Sequence, residues 1–580
     1  MGSRSGVLIL AWLFVASVAA LAAQQVPTLL APDAIYHNGR ILTVDKAFSV
    51  AEAFAVKEGR FVAVGRYADL RTLAGPSTQH VDLRGRTVIP GLMDNHNHQI
   101  WKSRLLHRGI SMAGVASIAE MTDRLKARAA TLRPGQVVVG NGDWTQAQLR
   151  ERRTPTRQEL DAAVPHHPVF LFQTGRNNAH LNSVALKILG IDFSTTDWGS
   201  FPILRDERGE PTGELSGGEQ VYAADLRLLR QPTDDEQIAW LEEQQAQQHA
   251  LGLTGIREPV LSPEHMRAYK EMHRRGRLTM RVSMGVMFGV QHVDGSHPLQ
   301  IDEFLTALPP MAGLGDDTLQ FDGTLAEFEV TTQRVSTWNR TPYPRDSNNV
   351  GFSFAFWPHS PLMRPVFDTE GNFYGIHRLP TEMFHEVVRK MNRYGYRPGF
   401  HVSGDAALDW HLDAYEAADR EHSIKGKRWV VEHNGGPDEQ TMDRIIRMEM
   451  ILSLQRQVGP LRTQVERGMR VTLGSDFPAF SNNPFDVMAF HITRRNAQGQ
   501  VNDPAQKIRR EDALRMATAN NAYLMFKEHK AGSIEPGKLA DFVVLSADFM
   551  TVPEEQIKDI VPLATYVGGR QVFAGQGGTF

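Results

Sequence analysis

The sequence contains no cysteine. That excludes disulfides, thiolate metal sites and cysteine nucleophiles, and it leaves histidine and carboxylates to hold any metal. Charge of one sign is also lacking: 63 Lys and Arg stand against 66 Asp and Glu, a formal net charge of −3, with no block of like charge. The electrostatic footprint of a nucleic-acid partner is therefore missing. Beyond the amino terminus no apolar run approaches the ~18 residues of a membrane span. Between Lys270 and Lys390 there is no lysine at all. What remains is an ordinary globular composition, 41% apolar and 22% charged over 580 residues, with 22 histidines. Such a chain can bury a large core, and its histidines are the residues to follow.

After Arg4 the run SGVLILAWLFVASVAALAAQQ is uncharged, short, and ends in small residues from Ala20 to Ala23. This is the pattern of a secretory signal peptide over residues 1–23, and it predicts a secreted or periplasmic protein with no stable membrane insertion after cleavage. A retained anchor is the alternative, because the uncharged stretch from Ser5 to Pro32 is long enough to span a bilayer.

From Asp33 short alternating runs read as strands, with Glu58-Gly59 as a hairpin turn. The last residues repeat the idiom, LADFVVLSAD and then ATYVGGRQVFAG, with Gly568-Gly569 as the turn. Residues 24–88 and 531–580 are thus expected to build one β domain from both chain ends. Between them, over 89–530, apolar strand-like runs alternate with helical segments, the pattern of βαβ units and a parallel sheet. Eight runs qualify: VIPGLMDNH ending near His98, then runs from Gly252, Leu278, Leu319, Gly399, Arg428, Met450 and Arg470. An α/β fold follows, with eight strands able to close a (β/α)8, TIM-like barrel. Thr233 with Glu236 forms a capping box, and Ser262-Pro263 opens another helix. The stretch from about 100 to 230 is too long for a loop and is expected to be an insertion over one mouth of the barrel.

His96-Asn97-His98 places two imidazoles on one face of an extended segment. With 22 histidines in 580 residues, roughly one such pair arises by chance, and a lone pair on a solvated strand means little. Position changes this. His401, His433 and Asp476 each end another strand-like run, where barrel enzymes carry their catalytic groups. Five metal-ligand types at corresponding strand ends form one candidate site.

VIPGLMDNHNH, HVSGDAALDWHLDAYEAA, VVEHN, VTLGSDFP and GSIEPGKLADFVVLSAD together resemble the amidohydrolase superfamily, specifically family 3. The likeness continues through NGDWTQAQLRERRTPTRQELDAAVPHHPV and HLNSVAL. It implies a barrel beside a composite β-sandwich, a divalent metal, and hydrolysis of amide or other C–N or ester bonds in a small-molecule substrate. By motif, His96 and His98 resemble first-strand ligands, His401 and His433 the fifth- and sixth-strand histidines, and Asp476 the eighth-strand aspartate. Asp476 is the expected general base. His433 assists the leaving nitrogen unless it binds a second metal. Zinc is the default ion. Trp144, after NGD, and Asp322, in an Asp-Gly pair, are expected at the substrate.

Two departures bear on this. Many members have a carboxylated lysine four residues before the Asp-Gly pair; here Thr318 stands there. Either one ion sits on His96, His98, His401 and Asp476, which is the reading adopted, or Asp317, Asp322 or Glu327 substitutes. At Arg176 and Asn177 members often have glycine and histidine. FSFAFWPHS, Phe352 to Ser360, is expected to be packed insertion rather than a pocket wall, and EEQQAQQH, Glu242 to His249, a solvated helix face. SGGE from Ser216 lacks the spacing of a phosphate loop. An ester or lactone hydrolase, or a deaminase, would use the same activated water. A ligand-binding protein that has lost catalysis is the reading from another class. A homo-oligomer is compatible with all of these.

Overall fold

Alternation of apolar and polar residues at both ends of the chain becomes two packed sheets. The computed structural model describes residues 31–173, 178–198, 201–216, 218–288, 300–307, 312–326, 337–344, 364–496 and 499–578. The segment 1–30, Arg176, Asn177, Gly217, Glu327 and Phe352 to Ser360 lie outside them. A four-stranded sheet combines Ala34–His37, Ala53–Lys57, Arg60–Gly65 and Gln79–Asp82. A six-stranded sheet joins Arg40–Leu42, Val50–Ala51 and Thr87–Pro90 to the carboxyl-terminal strands Phe542–Leu545, Pro562–Val567 and Arg570–Ala574. Both expected hairpins are present: Lys57 lies opposite Arg60, and Val567 opposite Arg570. Their turns have positive φ at both central residues, +49° and +73° at Glu58-Gly59, +56° and +70° at Gly568-Gly569. That backbone twist matches the strands it connects.

The two sheets meet through aromatic side chains from both chain ends. Phe542 stacks on Tyr566 at 4.3 Å between centroids and meets Phe54 and Tyr36 edge-on at 4.9 and 5.1 Å.

The middle of the chain supplies parallel strands. β1 (Leu92–Asp94), β2 (Leu253–Leu261), β3 (Arg281–Met287), β4 (Leu319–Ala326) and β5 (Arg397–Pro398) form one sheet in that spatial order. β6 (Val430–Glu432), β7 (Ile451–Leu454) and β8 (Arg470–Leu473) form another. Helices follow most of them, among them Pro263–Arg274, Asp405–Glu421 and Glu439–Arg447. Ser262 caps the first of these with Pro263 next to it, and Thr233 and Glu236 form their capping box on Asp234–His249. No helix among the described residues is long and apolar enough to cross a membrane.

Three expectations are corrected. VIPGLMDNH is not one strand: it breaks at Gly91, so that Thr87–Pro90 joins the six-stranded sheet and only Leu92–Asp94 joins the parallel one. A Cβ at Gly91 would stand 2.2 Å from the Thr254 hydroxyl, so the chain can cross there only as glycine. The fifth strand lies before Gly399 rather than after it. The Gln-rich part of Asp234–His249 is solvated only on one side: Glu243, Ala246 and Gln247 are exposed, whereas Gln244, Gln245, Gln248 and His249 are buried, and Gln99 donates to Gln248 at 2.5 Å and accepts from Tyr269 at 3.0 Å.

The segment between β1 and β2 has a sheet of its own, from Val138–Gly142, Val169–Gln173, Asn178–Leu181 and Glu214–Ser216, over separate apolar clusters. Since Phe542 joins both chain ends, Phe542→Ala is expected to cost about 3–5 kcal/mol. A lowered thermal midpoint checks this; an unchanged midpoint would show the aromatic junction to be dispensable.

Candidate active site and metal centre

The loops after β1 and β8 are held together by one buried carboxylate. Asp94 Oδ1 accepts from the backbone N–H of His96 at 3.1 Å and of Ser475 at 2.9 Å. Its Oδ2 accepts from Asn97 Nδ2 at 2.8 Å and from the Ser475 hydroxyl. Asp476 N–H donates to His96 O, and His98 N–H to Phe477 O, both at 2.8 Å. Close approach requires Gly474: a Cβ there would lie 2.0 Å from Asn95 Oδ1 and 2.5 Å from Asp94 Oδ1. The glycine of the GSD motif is explained by that crowding.

This clasp delivers two ring nitrogens to one carboxylate oxygen. His98 Nε2 stands 3.3 Å and His96 Nε2 3.8 Å from Asp476 Oδ1. His96 is buried, whereas His98 and Asp476 are partly open to solvent. The ligand atoms of the three lie within 4.8 Å of one another, and so do those of a second trio, His96, Glu432 and His433. The His433 ring lies 4.5 Å from that of His96 and stacks on His401 at 4.3 Å. All five expected residues therefore meet, but His401 belongs to neither trio.

Beneath the imidazoles lie four buried charges. Arg257 donates to Asp322 Oδ2 at 2.6 Å, Glu432 Oε1 at 2.7 Å, Thr324 Oγ1 at 3.0 Å and Asn95 O at 3.2 Å. Arg397 reaches Asp322 Oδ2 at 2.8 Å. Glu432 Oε2 faces His96 Nδ1 at 3.2 Å. A carboxylate only accepts, so Nδ1 of His96 carries the proton and Nε2 keeps its lone pair toward Asp476. Likewise His433 Nδ1 donates to Gln455 Oε1 at 2.8 Å and leaves Nε2 as its basic nitrogen.

The electrostatics follow from this layout. Burial, and then the neighbouring His433, push His96 down to about 4. Burial opposes charge on His98, but the hydrogen bond and charge of Asp476 outweigh it and raise its pKa. Burial likewise opposes ionisation of Asp476, yet the bond from His98 and the surrounding imidazoles hold its carboxyl well below the ordinary range. Against its burial, Glu432 is kept ionised first by the Arg257 charge and then by the bond from His96.

Two expected substrate contacts are not in this cluster. Trp144 is buried in the core of the intervening segment, its indole N–H donating to Phe172 O at 2.8 Å. Asp322 is fully buried, with Oδ2 on both arginines and Oδ1 accepting from Thr324 N–H at 2.8 Å, so its oxygens are taken by the protein itself. Thr318, where the resemblance puts a bridging lysine, immediately precedes β4, whereas the imidazoles follow their strands. Asp317 pairs with Arg60 and Lys530 instead. Three residues were missed: Asp94, Arg257 and Glu432. A charge inside an apolar strand, as in GLTGIREPV and VVEHN, was the available signal.

A model of the Amidohydrolase family matches residues 79–573. The chain belongs to the amidohydrolase family. As a member it is a hydrolase acting on C–N bonds. The N-substituted formamide deformylase of Arthrobacter pascens is 25% identical over 563 residues, covering 93% of this amidohydrolase and 97% of the relative. Among solved structures, an uncharacterized metal-dependent hydrolase from Pyrococcus horikoshii has the same fold, at 20% identity and a TM-score of 0.66, over 90% of this chain and 99% of that one. Atrazine chlorohydrolase from Arthrobacter aurescens, complexed with zinc, aligns at 12% identity and a TM-score of 0.52, over 93% and 95% of the two chains.

The displaced pKa of His96 predicts a pH response of the metal-free protein. Its folded value of about 4 lies below the ordinary 6.5. The unfolded chain therefore binds more protons between these values, and stability falls as pH drops through that window. His96→Asn is expected to flatten this part of the profile, read from denaturation midpoints at several pH values. An identical slope in the variant would remove His96 as the cause.

Proposed function

We propose that this amidohydrolase cleaves an amide-like C–N bond of a small molecule at a divalent ion, zinc by default, held by His96, His98 and Asp476. The observation that carries the reading is the convergence of two imidazole nitrogens on Asp476 Oδ1 at a partly open position. Two neutral nitrogens and one carboxylate suit zinc, and three protein ligands leave a position for substrate or water. Such an ion supplies Lewis acidity toward a carbonyl oxygen and lowers the pKa of water.

The chain's own groups divide the remaining work. Asp476, ionised and partly exposed, accepts a proton from the attacking water at its carboxylate. His433 Nε2, its other nitrogen committed to Gln455, relays the proton that Asp476 has taken from the water to the leaving nitrogen, so that the water's proton ends on the departing amine. Glu432 fixes the tautomer and rotation of His96, as a carboxylate behind a ligating imidazole does. The formamide deformylase among the relatives makes N-substituted formamides the first substrates to test, beside N-acyl amino acids and esters.

The same reading extends to architecture and location. The two parallel sheets form one closed (β/α)8 barrel, supported by parallel bridges at both seams, Asn97 with Phe477 and His401 with Glu432. The sheets at the chain ends form a composite β-sandwich beside it, from the described residues of the segments 24–88 and 531–580, with the barrel within 89–530. Residues 1–23 direct export and are removed, in keeping with their composition.

Asp476→Asn is expected to lower kcat about 10²–10⁴-fold while the far-UV spectrum stays unchanged, and a chelator is expected to abolish turnover that zinc restores. Hydrolysis indifferent to both treatments would overturn the assignment.

A further inference from the structure

We propose that Gln457 is a positioning residue: acting through Gln455, it decides which ring nitrogen of His433 carries the proton. The use of that choice in turnover rests on the proton relay given to His433 above; the choice itself does not. The chain of donors starts at a group with no alternative. The backbone N–H of Gln455 can only donate, and at 2.7 Å it meets the side-chain amide of Gln457, which must therefore turn its oxygen there. The Gln457 nitrogen is left to donate to the Gln455 side chain at 3.0 Å, so the atom receiving it must be Gln455 Oε1. That same oxygen lies 2.8 Å from His433 Nδ1, and the hydrogen between them has to come from the ring. A neutral imidazole holds one proton, so Nε2 keeps the lone pair.

The orientation is imposed by its surroundings. Gln455 is fully buried, and its Nε2 has no hydrogen-bond partner among the described residues, an unfavourable state for a donor. Its backbone is fixed from the other side, because Gln455 O accepts from His491 Nε2 at 2.7 Å. Gln457 in turn is pressed against the loop that carries His433. A Cβ at Gly435 would stand 2.8 Å from Gln457 Cβ, and a Cβ at Gly459 has no room beside Gly435 O. The loops after β6 and β7 thus pack so closely that only glycines fit between them, and the Gln457 amide has little space in which to swing away.

Exchange of one atom tests this. Gln457→Glu keeps an oxygen for the Gln455 N–H but removes the donor. The Gln455 amide is then expected to turn and give its nitrogen to both neighbours, which leaves His433 protonated at Nε2. Gln455→Glu offers only oxygens and is expected to keep the proton on Nδ1. Two-bond proton–nitrogen correlation spectra of the metal-free full chain, labelled with nitrogen-15 histidine, read the tautomer, and the signals lost in His433→Asn identify the residue. The unaltered protein is expected to show Nδ1–H, and Gln457→Glu to show Nε2–H. In the latter, kcat on an N-substituted formamide should fall about 10–100-fold at unchanged KM, because the accepting nitrogen starts occupied. Nε2–H in the unaltered protein, or Nδ1–H persisting in a Gln457→Glu variant whose circular dichroism matches it, would overturn the proposal. Should that variant fail to fold, the unaltered chain and Gln455→Glu decide, and Nε2–H in either refutes it. An inverted tautomer with kcat unchanged sinks the relay role of His433 instead, a different failure that leaves Gln457 in control of the ring.

Discussion

Everything at the site depends on the carboxylate of Asp94. Burying an ionised carboxylate is unfavourable, and burial indeed raises its pKa. Four donors offset that cost, and they come from two loops far apart in sequence: His96 and Asn97 on one side, Ser475 twice on the other. The charge is satisfied only when the loops adopt one mutual geometry. His96, His98 and Asp476 ride on those loops, so the condition that makes Asp94 tolerable also sets the spacing of the ring nitrogens around Asp476.

A second layer works by charge balance rather than by clasp. Removing one partner of a buried ion pair costs about 3–5 kcal/mol, because the charge left behind has no water. With two arginines and two carboxylates interlocked, each member is held by at least one of the others. The cluster contributes rigidity more than net stability, since desolvation of four charges absorbs much of the Coulomb gain. Its use is directional: Glu432 is aimed at His96 Nδ1, and the imidazole is thereby aimed at Asp476.

The parts legible in the sequence were those fixed by local periodicity and turn chemistry. Both hairpins, both helix caps and six of the eight parallel strands lie where alternation and capping put them. The first-strand error at Gly91 arose from an apolar run with no polar break; only a tertiary crowding against Thr254 divides it. The five ligand types were readable because strand ends are marked by motif. Arg257, Glu432 and the glutamine face of Asp234–His249 were not. Arg257, Glu432, Gln245 and Gln248 each have a partner 65 or more residues away, Asp322 and Glu432 for Arg257 and Gln99 for the two glutamines. A local window cannot tell a buried polar group with a distant partner from a solvated one.

Backbone strain explains how neighbours in sequence come to share one site. In an extended strand Glu432 and His433 would point to opposite faces. His433 instead has φ of +65°, and Asp476 of +52°. For residues other than glycine such conformations cost of order 1–3 kcal/mol and persist only where surroundings impose them. The surroundings here are visible: His433 N–H donates to Ser453 O at 3.1 Å and its ring to Gln455, while Asp476 N–H is taken by His96 O at 2.8 Å. The turn at His433 brings its ring to the side where Glu432 already meets His96, so a strand of three residues delivers both a ligating-type imidazole and the carboxylate that orients another. The turn at Asp476 does the same for the partly open side, setting its oxygen before His98. His433 and Asp476 are thus strained where their side chains leave the strand's alternation to reach a common point.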